Sequence, residues 1–66
     1  MKLESAIKKL EKAGFEINEN NGFYTCKKAG HDDVKFLSND KVKAQCFNTG
    51  GVHVRNLTAA IQISKK

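Results

Sequence analysis

Apolar residues recur at helical spacing near the start of the chain. They are Leu3, Ala6, Ile7, Leu10 and Ala13. Intervals of three and four residues place them on one side of a helix, with lysines and a glutamate on the other side. Gly14 follows where a helix commonly ends in the left-handed conformation, and Phe15 comes next, where it can touch Leu10. The pattern predicts a first helix over roughly residues 3–13.

Alternation with period two replaces the helical spacing after Gly14. Residues 15–19 predict a strand, residues 20–22 (Asn-Asn-Gly) a hairpin turn, and residues 23–29 the returning strand. Further turns and strands are predicted in the order 30–33, 34–38, 39–41 and 42–47. Because all these connections are short, we expect an antiparallel meander.

The pattern is weaker after Phe47. Residues 48–51 are expected to form a loop and residues 52–55 a short fifth strand. Asn56 is a good N-cap, and helical spacing predicts a helix over residues 56–64, although Ala59, Ile61 and Ile63 also alternate. The expected fold is a single two-layer α+β domain over residues 1–66: an N-terminal helix, an antiparallel four- or five-stranded meander and a short C-terminal helix.

Alternation assigns each predicted strand an inward and an outward face. The inward set is Phe15, Ile17, Tyr24, Cys26, Val34, Phe36, Val42, Ala44 and Cys46. The outward set is Phe23, Thr25, Lys27, Lys35, Leu37, Lys43, Gln45 and Phe47. The inward set is continuous and apolar, so the first helix is expected to pack against it.

Lysines alternate with large apolar side chains on the outward face. Sheets that bind single-stranded nucleic acid stack bases on exposed rings and hold phosphates with flanking lysines. Five side chains fit these roles: Phe23 and Phe47 for stacking, and Lys27, Lys35 and Lys43 for phosphate. The other interpretation is that the second helix covers this face, with Phe23, Leu37 and Phe47 in the core and the lysines at its rim.

Charge favours an acidic partner without identifying it. The chain has 12 Lys+Arg and 7 Asp+Glu, a net charge of +5. Such a balance suits nucleic acid or an acidic protein, or serves solubility alone. Arg55 is the only arginine, so nucleic-acid contacts would be mostly to phosphate.

No segment approaches the ~20 apolar residues that span a bilayer. Residues 1–4 (Met-Lys-Leu-Glu) lack the apolar stretch of a signal peptide. The expectation is a cytoplasmic protein without a membrane partner.

Cys26, His31, Cys46 and His53 form the one constellation that resembles a metal site. Structural zinc usually takes ligands in close pairs, and the intervals here, Cys-x4-His and Cys-x6-His, differ from those pairs. Two strand spacings, ~9–10 Å, would separate the cysteines, beyond the ~7 Å limit for a disulfide. We therefore predict no metal, no cofactor and no disulfide.

Catalytic chemistry has little support in the sequence. His31 beside Asp32 and Asp33 could act as a general base, but Gly-His-Asp-Asp is also an ordinary turn. Gly50 and Gly51 could approach a phosphate or simply turn the chain. No nucleophile stands at a recognisable spacing from a histidine, so the prediction is a binding module and not an enzyme.

The helix–strands–helix order resembles the double-stranded-RNA-binding domain, with Gly30-His31, Phe36 and Ala59-Ala60 at similar places. The lysine cluster that opens the last helix of that family is missing, and only Arg55-Asn56 stands nearby. Residues 6–17 are also similar to the opening of the HicA-type RNA-cleaving toxins. Those carry a histidine just after a glycine in the next strand, where this chain has Gly22 and then Phe23, so their activity is not implied.

Two functions are therefore predicted for this binding module. The first is weak nucleic-acid binding through Phe23, Lys27, Lys35, Lys43 and Phe47. The alternative is a protein-interaction or inhibitor module for an acidic partner surface, acting through an edge at residues 15–19 or 52–55. Exposure of Phe23 and Phe47 would favour the first function.

Overall fold

The structure, a computed structural model, describes residues 2–37 and 46–66 of the chain. Its elements are α1 (Leu3–Lys12), β1 (Glu16–Asn20), β2 (Phe23–Lys27), β3 (Val34–Leu37), β4 (Phe47–Thr49), β5 (Val52–Val54) and α2 (Leu57–Ser64). The strands form one antiparallel sheet in the order β1-β2-β3-β4-β5. The predicted α+β fold, an N-terminal helix, an antiparallel meander and a short C-terminal helix, is confirmed, with five strands.

Local chemistry ends α1 as its sequence predicts. Gly14 has φ 94°, its N–H donates to Glu11 O, and the Phe15 N–H donates to Leu10 O, each at 3.0 Å. These two bonds are the Schellman motif, which satisfies carbonyls that the helix end leaves free. The motif delivers Phe15 to the core beside Leu10, one residue before β1 begins.

Two-residue turns close two of the hairpins. Asn21 and Gly22 join β1 to β2 with φ 51° and 84°, as predicted. Gly50 and Gly51 join β4 to β5 with φ 57° and 81°. Paired positive φ values match the twist of the flanking strands, which explains the Asn and Gly at these positions. The predicted loop over residues 48–51 is wrong in its first half, because Asn48 belongs to β4.

Asn56 caps α2 through its side chain, which accepts from the Ala59 N–H at 3.2 Å. This bond satisfies one of the backbone N–H groups of the first turn that have no partner within the helix. The helix then continues through Ser64. The predicted helix over residues 56–64 is confirmed. In the described ranges, 2–37 and 46–66, no helix is long and apolar enough to cross a membrane.

Both helices cover the same face of the sheet. The core joins side chains from both helices, from the strands and from the turn after α1: Ala6, Leu10, Phe15, Cys26, Val34, Phe36, Phe47, Leu57 and Ala60. Contacts of α1 are with β1, and those of α2 are with β3, β4 and β5. Lys9 Nζ on α1 reaches Thr58 Oγ1 on α2, a hydrogen bond that links the two helices on this face. The interpretation in which α2 covers the outward face is therefore wrong.

The faces of β4 are opposite to the prediction. Phe47, predicted outward, is 0% exposed, while Cys46, predicted inward, is exposed. Pairing begins at Phe47 and places Val34 opposite Thr49, and a one-residue change of register exchanges the two faces of a strand. The predicted strand residues 42–45, including Lys43 and its neighbours, lie outside the described residues.

Burial of Phe47 contributes more free energy to this register than burial of Cys46 would contribute to the alternative. A buried phenylalanine contributes roughly 2–3 kcal/mol, more than a cysteine can. The same register buries Thr49, whose hydroxyl lacks a hydrogen-bond partner in the part of the chain that the structure describes. An unpaired buried hydroxyl costs about 1–3 kcal/mol, so packing of the ring is gained partly at the expense of this polar group.

Candidate functional site

The sheet face opposite the helices, here called the open face, carries a row of polar side chains from all five strands. Directly paired residues lie on the same face of a sheet. Strand pairing links, in order across the sheet, Asn18, Thr25, Lys35, Asn48 and His53. Four strand spacings make this polar row ~19 Å long. It offers amide, hydroxyl, ammonium and imidazole groups along one line.

A second row on the open face is largely apolar. Strand pairing places Asn20, Phe23 and Leu37 side by side. Phe23 is 48% exposed and Leu37 is 49% exposed, which is high for side chains of this size on a sheet. This apolar row lies two residues along the strands from the polar row, a separation of ~6.8 Å.

Two shallow depressions connect these rows. One, of about 350 Å³, contains Phe23, Leu37 and Cys46 together with the β5 side chain of His53. The other, of about 380 Å³, extends past Phe23 to the β1–β2 turn. Phe23 and Lys35 line both of them. The two depressions, here together called the groove, extend from the β1–β2 turn to His53 on β5 and share a ring and an ammonium group at the middle.

Among the residues that the structure describes, Lys35 is an exposed cation at the centre of this face. Lys27 stands directly opposite Glu16 in the β1–β2 ladder, so it has an acidic residue as its cross-strand neighbour. Lys28 is already engaged, because its Nζ donates to Ala13 O at 2.6 Å. Lys35 makes no salt bridge with any described residue. The groove is therefore mildly positive at its centre.

The predicted nucleic-acid-binding residues are only partly brought together. Phe23, Lys27 and Lys35 lie on the open face and are exposed. Phe47 lies in the core under the helices and cannot stack on a ligand. Lys43 lies outside the described residues. The predicted aromatic pair is thus reduced to one ring.

Sequence reasoning missed three side chains of the groove. The sequence pattern predicts a loop at Asn48, a core position for Cys46 and a strand at His53 with no assigned face. A useful signal was present, since a two-glycine turn at residues 50–51 predicts a hairpin that pairs Asn48 with His53. Once that hairpin is recognised, His53 falls on the face opposite Phe47.

His31 contacts the C-terminal end of α2 through a side-chain hydrogen bond. Its Nδ1 lies 2.9 Å from Ser64 Oγ, and that hydroxyl donates its single proton to Ile61 O at 2.7 Å. The hydroxyl must therefore accept from His31 Nδ1–H, which leaves Nε2 unprotonated in the neutral ring. The Asp32 N–H also donates to Ser64 O, at 2.6 Å. The Gly-His-Asp-Asp turn thus has a structural role in which the partner of His31 is a serine and not a carboxylate.

A polar depression of about 490 Å³ lies beside this turn and includes Gly50 and Gly51. Lys66 Nζ is 3.6 Å from Asp32 Oδ1 within it. A Cβ added to Gly50 would lie 3.2 Å from Asp32 Oδ2. Because a carboxylate stands against the glycine turn, this turn is a poor place for a phosphate.

The two cysteines have different surroundings on opposite faces. Burial, with a smaller contribution from the charge of Asp33, raises the pKa of the Cys26 thiol to about 12. Cys46 Sγ is 3.9 Å from His53 Nδ1 on the open face. The four Cys and His residues are thus divided, and residues 2–37 and 46–66 contain no group of three or more His, Cys, Asp or Glu that could hold a metal ion.

Comparison with known proteins adds no relative. No protein-family model matches the chain, and searches of the curated proteins and of the solved structures found no match. The two family resemblances in the sequence gain no support from these searches.

Proposed function

We propose that this protein is a small non-enzymatic binding module that binds nucleic acid across the open face of its sheet. The observation that carries the proposal is the exposed Phe23 ring beside Lys35, which makes no salt bridge with a described residue, on a face that neither helix covers. An exposed ring contacts a base and a neighbouring ammonium contacts phosphate. The net charge of +5 attracts the same partner at longer range.

Binding is expected to be weak. Base stacking contributes about 1–3 kcal/mol per base, and the described part of the open face offers one phenylalanine. Lys27 and Lys35 together can neutralise about two phosphates, for a salt slope of about −1.4 on single strands. The affinity should therefore fall only modestly as salt rises.

The test is the salt dependence of oligonucleotide binding by the Lys27→Gln/Lys35→Gln double variant. Loss of two phosphate contacts should flatten the plot of log K against log salt by about 1.4 units for a single strand. Lys8→Gln/Lys12→Gln is the matched control, since it removes the same charge from exposed positions of α1. Its slope should stay close to that of the unmodified protein.

Equal slopes for the two double variants would make the attraction a property of net charge and not of the open face. Absence of binding to any oligonucleotide at low salt would remove the proposal. The search would then turn to an acidic protein partner at the edge strands β1 and β5.

A further inference from the structure

We infer that the bound nucleic acid is single-stranded and crosses the sheet with bases on the apolar row and backbone along the polar row. This inference rests on the proposed function and specifies its ligand. Two observations carry it: the free ring of Phe23, and the close parallel course of the two rows.

Phe23 needs a base whose flat surface is accessible. In a duplex each base is covered above and below by its neighbours, so a ring on a flat sheet finds no base to stack on. Unpaired bases can be splayed out onto such a ring. Leu37, adjacent to Phe23 in the same row, extends the apolar surface for the next base.

The spacing of the rows suits one strand and not two. A nucleotide has its base at one end and its phosphate at the other, so it can touch two rows ~6.8 Å apart at once. Thr25, Lys35 and Asn48 follow one another on adjacent strands and can contact successive backbone groups. Sheets of other folds stack two or three bases in this manner.

The small number of described lysines on the open face also favours a single strand over a duplex. Duplex binding without base reading depends on many phosphate contacts. Among the described residues of the open face the lysines are Lys27, opposite Glu16, and Lys35. These two described lysines give a duplex few phosphate contacts, so stacking on Phe23 is expected to supply most of their share of the affinity.

The experiment compares one labelled oligonucleotide of about 12 nucleotides, as DNA and as RNA, before and after annealing to its complement. Fluorescence anisotropy at about 50 mM salt measures both affinities. The single strand should bind at least ~10-fold more tightly than the duplex. Phe23→Leu, which keeps an apolar side chain and removes the ring, should weaken single-strand binding about 5-fold or more and leave duplex binding unchanged.

Ile63→Leu is the matched control, because Ile63 is 43% exposed on α2 in the helix layer and the substitution is similarly conservative. Its affinity for the single strand should equal that of the unmodified protein. Circular dichroism of each variant checks that the fold is retained. Cys46 gives a second readout in the same groove: a bound single strand should slow its alkylation at least ~3-fold.

Duplex binding as tight as single-strand binding, or unchanged single-strand affinity in Phe23→Leu, would overturn this inference. If the lysine variants still flattened the salt slope, the proposed function would stand and only its ligand would change. No binding by either strand form would overturn both. A preference for RNA over DNA would add a contact with the 2′-hydroxyl and leave the inference intact.

Discussion

The two faces of the sheet differ strongly in exposure, although both carry large apolar side chains. Phe36 is 3% exposed and its neighbour Leu37 is 49% exposed, although both are large apolar residues of β3. The difference arises because both helices lie over the Phe36 side and neither lies over the Leu37 side. Hydrophobicity alone therefore does not assign burial in this protein, since the placement of the helices does.

The covered face contributes mainly to stability, whereas the open face is available for binding. Side chains on the covered face are held among many neighbours, so their loss leaves a cavity. Phe23 and Leu37 on the open face keep about half of their area in water, so their loss changes little in the folded state. Apolar residues kept on the open face are thus available to a ligand at small cost in stability.

The largest expected effect is the difference between two phenylalanines. Phe47→Ala should lower the free energy of unfolding by about 3–5 kcal/mol, because it removes a fully buried ring. Phe23→Ala should lower it by less than about 1 kcal/mol. Urea denaturation followed by circular dichroism measures both.

Because a domain of this size is marginally stable, Phe47→Ala can leave no folded protein to measure. Phe47→Leu is the milder substitution, and its expected loss is about 1–2 kcal/mol. Equal losses for matched substitutions at Phe47 and Phe23 would contradict the assignment of the two faces.

The next effect is a difference in thiol reactivity. Cys46 is exposed on the open face, whereas Cys26 is fully buried with a raised pKa. Reaction of Cys26 requires opening of the fold, so an alkylating reagent near neutral pH should modify Cys46 at least ~100-fold faster. Mass spectrometry of partly modified protein measures both rates.

Denaturant provides the control for this difference, since both thiols should react at similar rates once the chain is unfolded. Comparable rates in the folded protein would mean that Cys26 is accessible, and the covered face would have to be revised.

A smaller effect is the dependence of stability on alkaline pH. Burial raises the pKa of the Cys26 thiol from its ordinary value of 9.0 to about 12. Between these values the unfolded state has released a proton that the folded state keeps, so the stabilising contribution present below pH 9 is lost as pH rises. The loss should be about 1 kcal/mol per pH unit.

The measurement is the difference between the unmodified protein and Cys26→Ala over about pH 9–11, which removes contributions common to both proteins. Cys46→Ala is the matched control and should keep the full dependence. A Cys26→Ala variant with the same pH dependence as the unmodified protein would remove the proposed cause.

Several parts of the fold follow from short stretches of sequence. Gly14 ends α1, Asn21 and Gly22 turn the first hairpin, and Asn56 begins α2. In each case the decisive interaction is within a few residues along the chain, either a positive φ or a capping hydrogen bond. Such interactions can be predicted because no distant part of the chain takes part in them.

The candidate site could be predicted only in part. Phe23 and Lys35 follow from the alternation of β2 and β3 between well-defined turns. Phe47 was placed wrongly because its segment alternates equally well in either register, and only pairing with β3 selects one. His31 likewise reads as a catalytic candidate until its contact with Ser64, 33 residues away, shows its structural role.

The sequence by itself determined the order of the elements, the ends of both helices, the tight turns and the inner face of β2 and β3. Those properties depend on side-chain period and on local backbone preferences. Only the tertiary structure decided the register of β4 and the side of the sheet that α2 covers. Both depend on contacts between residues distant in sequence, where burial of one large ring can outweigh every local preference.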